Sequence, residues 1–107
     1  MARILAIVPD LMLASRVEES LRSAGHDVSV TPSLPDSIGA EALVCDLDAV
    51  DADAIAQANV PTLGFYSHVD IETKQAAEAA GIDVAVPRSR MARELPQLID
   101  KLLRTPE

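Results

Sequence analysis

The sequence predicts an α/β domain: a five-stranded parallel sheet, order 2-1-3-4-5, with helices on both faces. Three features of the 107 residues predict it. Five short apolar runs recur, at Ile4–Val8, Val28–Val30, Ala42–Cys45, Thr62–Phe65 and Val84–Val86. The first, third and fourth are nearly continuous rather than alternating, as strands read when helices cover both faces of a parallel sheet. Segments with helical spacing lie between the runs.

The first run is closed by Pro9 and Asp10. Leu13, Val17 and Leu21 then recur at intervals of four, with Arg16, Glu18, Glu19 and Arg22 on other faces. Gly25 ends that helix at the usual position of a left-handed cap. After the second run, the 31–41 segment contains Pro32, Pro35 and Gly39, which leaves room for a turn or two of helix. The 51–59 segment following the third run is brief and alanine-rich, with Pro61 beyond it. The 70–80 segment places Ile71, Gln75, Ala76, Ala79 and Ala80 on one stripe, with Asp70 as N-cap and Gly81 as stop. The final helix carries Met91, Leu95, Leu98, Ile99, Leu102 and Leu103 at helical spacing. Met12 and Met91, at helix starts, read as packing residues. Alternation of strand and helix implies right-handed crossovers, and the flavodoxin-like strand order is the first choice for five strands. A dinucleotide-binding half is the rival, yet the turn after strand 1 reads Val-Pro-Asp-Leu and has no glycine cradle for a phosphate. The whole chain, 1–107, reads as one domain with no output domain.

Composition narrows the functions. A hydrophobic content of 49% supplies a sizeable core, and with Phe65 and Tyr66 the sole aromatics that core is aliphatic. Bases of single-stranded nucleic acid have no stacking platform here. A formal charge of -8, from 17 acidic and 9 basic residues, repels nucleic-acid backbones and anionic membranes alike. No run approaches a membrane span, and the short apolar N-terminus is no signal segment, so the expected location is cytoplasmic. Cys45 stands alone in an apolar run and reads as a buried, inert thiol.

In an open parallel sheet, ligands bind beyond the carboxyl ends of the strands where chain order reverses. That rim receives Pro9 and Asp10 after strand 1, Asp46 at the end of strand 3, Tyr66, Ser67 and His68 after strand 4, and Arg88 after strand 5. On this order and placement the chain resembles, over essentially its whole length, the receiver domains of two-component response regulators. Ala-Leu-Val-Cys-Asp46-Leu is similar to the family's phosphoacceptor strand. Gly81-Ile-Asp-Val-Ala-Val-Pro-Arg88 has its spacing from helix-ending glycine to basic residue, and Pro61-Thr-Leu-Gly-Phe-Tyr66-Ser67 occupies its strand 4.

The resemblance implies roles. Asp46 would be the phosphoacceptor, Arg88 the equivalent of the family's lysine, and Tyr66 and Ser67 the hydroxyl position and the small residue after it. Asp10 and Asp46 would be weak Mg²⁺ ligands, with Asp48 a further carboxylate. Pro9 and His68 would complete the functional edge. Departures from the pattern are equally plain. Pro9 replaces one of an acidic pair, Arg88 replaces the lysine, Ser89 a proline, and Ala85 stands where a switching aromatic usually lies. The turn after the acceptor reads Asp48-Ala-Val-Asp51. Losing a carboxylate weakens a Mg²⁺ site, and a guanidinium grips a carboxylate where an ammonium would move, so an Arg88–Asp46 ion pair is expected.

Blander readings stand beside these. Asp46 could be a strand-end carboxylate satisfied by backbone or by Arg88, and Asp10 could be a helix N-cap. Asp48, Asp51 and Asp53 read most simply as a solvated acidic turn, His26 as a turn residue, and Arg88, Arg90 and Arg93 as a solvated helix start. Ser67, His68 and Asp70 do not make a hydrolase triad, because adjacent residues of an extended segment point opposite ways. The expectation is a stand-alone receiver-like signalling and protein-interaction module with phosphorylation lost or impaired, requiring no cofactor. Its partner would be a signalling protein or a second copy, with a homodimer through the side formed by the 70–80 helix, strand 5 and the last helix. The alternative is a working single-domain response regulator phosphorylated on Asp46 with Mg²⁺. Neither is an enzyme beyond phosphoryl gain and loss at Asp46; a small-molecule activity at the same edge is a third class with no residue demanding it.

Overall fold

The computed structural model describes residues 2–36, 38–67 and 71–104. Each apolar run forms a strand: β1 (Arg3–Ile7), β2 (Asp27–Thr31), β3 (Ala42–Asp46), β4 (Thr62–Tyr66) and β5 (Val84–Pro87). Helices are α1 (Leu11–Ser23), α2 (Ala52–Ala56), α3 (Ile71–Ala80) and α4 (Arg88–Arg104). All pairings are parallel, and the order is β2-β1-β3-β4-β5, as expected. The register sets Ile7 beside Cys45, Asp46 beside Phe65, and Tyr66 beside Pro87. Carboxyl ends of the strands therefore share one rim.

Alternation along each strand sorts side chains onto two faces. Ile4, Ala6, Val44, Leu63, Phe65 and Val86 meet α1 and α4, which contribute Leu13, Val17, Leu21, Met91, Leu95 and Ile99. Ile7, Leu43, Cys45, Tyr66 and Ala85 face the other way, onto Ile55 of α2, Ala77 of α3 and Ile82. The core is aliphatic with both aromatics buried in it, as the composition requires.

Helix ends follow their local chemistry. Asp10, in extended backbone, accepts hydrogen bonds from the Met12 and Leu13 N–H groups and so caps α1. Gly25 and Gly81 take φ of 94° and 108°, the left-handed conformation that ends α1 and α3 without a Cβ penalty. Asp51 accepts from Asp53 N–H and caps α2. In α4, Glu94 leaves helical geometry (φ -124°, ψ 15°) two residues before Pro96. Proline has no N–H and its ring crowds the carbonyl four residues back, so the helix kinks there.

Three expectations are corrected. The 31–41 segment forms no helix among its described residues; two prolines deny it a hydrogen-bonded turn, and Leu34 and Ile38 pack onto the sheet from an irregular path. In α3, Ala77 is the buried alanine, while Ala76 and Ala79 are exposed, because alanine on every face leaves the phase of the helix unmarked. Met12 is 77% exposed rather than packed, unlike Met91. His26 does lie in the turn beside Gly25, its Nδ1 accepting from Ala2 N–H at 3.2 Å. His68 and Asp70, with its expected capping role, lie outside the described residues, as does the side chain of Ile71.

Candidate functional site

The order of strands reverses between β1 and β3, and the candidate site lies beyond their carboxyl ends. Asp46 closes β3 at 9% exposure. Its Oδ1 accepts from Asp48 N–H at 3.0 Å, and its carbonyl accepts from Ala49 and Val50, winding the chain into the turn that precedes α2. Oδ2 accepts no hydrogen bond among the described residues. Burial pushes the Asp46 carboxyl above its ordinary value. The Asp48 N–H opposes that shift, the Asp48 carboxylate adds to it, Arg88 lowers it and Asp10 raises it. Asp10, Asp46 and Arg88, far apart in the chain, are thus close enough to feel one another's charge.

Arg88 pairs differently from the expectation. Its guanidinium sits 3.8 Å from Asp10 Oδ2, and no Arg88–Asp46 ion pair within 4.0 Å occurs among the described residues. The reason is local. α4 begins at Arg88 itself, immediately after β5, and the capping geometry of Asp10 directs one oxygen into α1 and leaves the other outward. At 3.8 Å with both side chains about half exposed, the pair contributes about 0–1 kcal/mol. Arg90 and Arg93 both approach Glu94, so two of the three arginines are offset within their own helix.

Asp48 is not merely a solvated turn residue. Its Oδ2 accepts from Ser67 N–H at 2.7 Å, which ties the turn after β3 to the turn after β4. Charge on the acceptor makes this a strong bond of its type. Tyr66 lies in the core at 3% exposure, on the α2–α3 face, because β4 sends Phe65 to the opposite side. It shares that face with Ala85, so the aromatic volume stands on β4 and the small residue on β5. Pro9 is exposed beside Asp10. Cys45 is fully buried, and burial, with Asp46 alongside, pushes its thiol up to about 12; the thiolate is absent near neutrality.

Among the described residues, no group of three or more His, Cys, Asp or Glu side chains is disposed to hold a metal ion. Asp10 is engaged by α1 and Arg88, Asp48 by Ser67, and Pro9 offers no carboxylate. Sequence reasoning missed a groove of about 670 Å³ between α1 and α4, floored by Leu13, Val17 and Met91 and reaching Ser67 and Arg88. Serines at 20 and 23, opposite Ala92, were its available signal: small side chains that leave the space between two helices unfilled.

No protein-family model matches the sequence, and a search of curated proteins returns no match. Solved structures do match. The receiver domain of a Francisella response regulator superposes with a TM-score of 0.84 at 15% identity, over 97% of this chain and 98% of that one. The non-phosphorylated HemR receiver domain of Leptospira biflexa gives 0.82 at 16% identity, over 100% and 98%. An orphan response regulator of H. pylori gives 0.79 at 20% identity, over 95% and 96%. Identities this low establish the fold: the chain is built as a response-regulator receiver domain is, across its whole length. No helix among the described residues is long and apolar enough to cross a membrane.

Proposed function

We propose that the chain is a receiver-like signalling module that acts by binding another protein, with phosphoryl transfer to Asp46 lost or impaired. The observation that carries this reading is the engagement of every carboxylate around Asp46. Asp10 caps α1 and faces Arg88, Asp48 holds Ser67 N–H, and Pro9 brings no charge. A phosphoryl group arriving at Asp46 would add negative charge beside two further carboxylates, with one guanidinium, already paired, to offset it. Tyr66 supports the same reading. A ring packed at 3% exposure has no second position to occupy, and Ala85 offers no moving part in its place. The partner is a signalling protein or a second copy, met through the side formed by α3, β5 and α4. The chain's acidity disfavours nucleic acid and anionic membranes.

Incubation with a small-molecule phosphodonor, with and without Mg²⁺, followed by intact-mass measurement, tests the proposal. Unmodified protein is the expected result. A stoichiometric mass gain that disappears in Asp46→Ala overturns it. One observation favours that second reading, a working phosphoacceptor: Asp46 Oδ2 accepts no hydrogen bond among the described residues and so keeps a lone pair for attack.

A further inference from the structure

We infer that the outer face of α1 is a self-association surface on which two copies pair with these helices antiparallel. α1 buries Leu13, Ala14, Val17 and Leu21, and the opposite stripe, Met12, Ser15, Arg16, Glu19 and Ser23, faces solvent. Leu11 and Met12, at 82% and 77% exposure, are the most exposed large apolar side chains among the described residues, and both stand on the first turn. Charges on the helix divide in two. Arg22 is held by Glu18 at 2.9 Å, whereas Arg16 and Glu19 form no ion pair within 4.0 Å among the described residues.

The order of these residues selects the occupant. About a two-fold axis centred between Val17 and Glu18, Arg16 of each copy falls opposite Glu19 of the other, and symmetry repeats the pair. Met12 falls opposite Ser23. There the groove between α1 and α4, lined in part by Ser20, Ser23 and Ala92, lies open to receive a flexible thioether. A parallel pairing would set Arg16 against Arg16 and Glu19 against Glu19, which is repulsive. A face that is complementary to itself in one orientation and repulsive in the other fits a second copy of this chain. This inference goes beyond the signalling reading, uses a different face from α3–β5–α4, and does not depend on the state of Asp46.

Sedimentation equilibrium over a wide range of protein concentration tests it, with circular dichroism confirming that each variant folds. Wild type is expected to dimerise as concentration rises. Met12→Glu, Arg16→Glu and Glu19→Arg should each raise the midpoint concentration by about tenfold or more, about 1.4 kcal/mol over the two symmetry-related contacts that each substitution changes. The double variant Arg16→Glu/Glu19→Arg should return the midpoint close to wild type, and Gln57→Lys, exposed at the end of α2 and on neither face, should leave it unmoved. A chain that stays monomeric throughout overturns the inference. So does a double variant that fails to recover, or a dimer lost in Gln57→Lys and indifferent to the α1 changes.

Discussion

Against one face of the sheet lie helices of 13 and 17 residues; against the other lie helices of 5 and 10 and the irregular segments 32–36 and 38–41. The first face closes over Ile4, Val17, Leu21, Phe65, Met91, Leu95 and Ile99, all at 1% exposure or less. The second leans on partly buried residues, among them Leu5, Leu34, Ile38, Leu47, Val50 and Val60. Both faces share the same five strands, so the difference lies in what covers them. The lesson is one of division: α1 and α4 anchor the sheet, and the turns after β3 and β4 rise from the lightly covered side, where local opening costs less.

That contrast can be broken most directly by truncating one large side chain on each face. Phe65→Ala should cost about 4 kcal/mol and Ile55→Ala about 2 kcal/mol, since the short α2 relaxes into the space more readily than α4 does. Urea unfolding of the two variants measures the gap, and equal losses would dissolve the distinction. Gly64→Ala probes the lighter face from the strand side. A Cβ at Gly64 would stand 2.7 Å from Leu47 Cδ1, a crowding expected to cost about 2 kcal/mol. Adding Leu47→Ala should recover the part of that loss due to the clash, read by the same unfolding curves. On the anchored side, Asp10→Ala removes the cap of α1 and should cost about 1 kcal/mol.

The smallest effect concerns pH. Because the carboxyl of Asp46 titrates above its ordinary value in the folded protein, the unfolded chain ionises it first as pH rises. Stability contributed by this group therefore falls as pH rises from the ordinary carboxylate value, 3.8, through the higher folded one, and stays lost above it. Asp46→Asn should flatten that part of the stability profile and be neutral to mildly stabilising at neutral pH. Thermal unfolding at a series of pH values checks the sign, and a steeper profile in the variant would refute it.

Strand positions were legible because continuous apolar runs such as Ala42–Cys45 have few other uses in a chain this size. The rim was legible for the same reason: once strand order is known, Asp10, Asp46 and Arg88 must converge. Partner choice was not legible. Whether Arg88 meets Asp46 or Asp10 depends on where α4 begins, and no residue type marks the difference between a loop arginine and a first-turn one. The Asp48–Ser67 bond joins two loops by a backbone N–H, and an amide carries no sequence signature. Tyr66 stands at the hydroxyl position of strand 4 by resemblance, and alternation from Phe65 sends its ring to the α2–α3 face.

The pair of bonds running from Asp46 Oδ1 to Asp48 N–H, and from Asp48 Oδ2 to Ser67 N–H, forms a two-link relay. Each carboxylate holds a main-chain N–H further along the chain, the first within its own turn and the second across to the next strand's end. The turn after β3 and the turn after β4 thus share one hydrogen-bonded support, built from two carboxylates and two backbone amides.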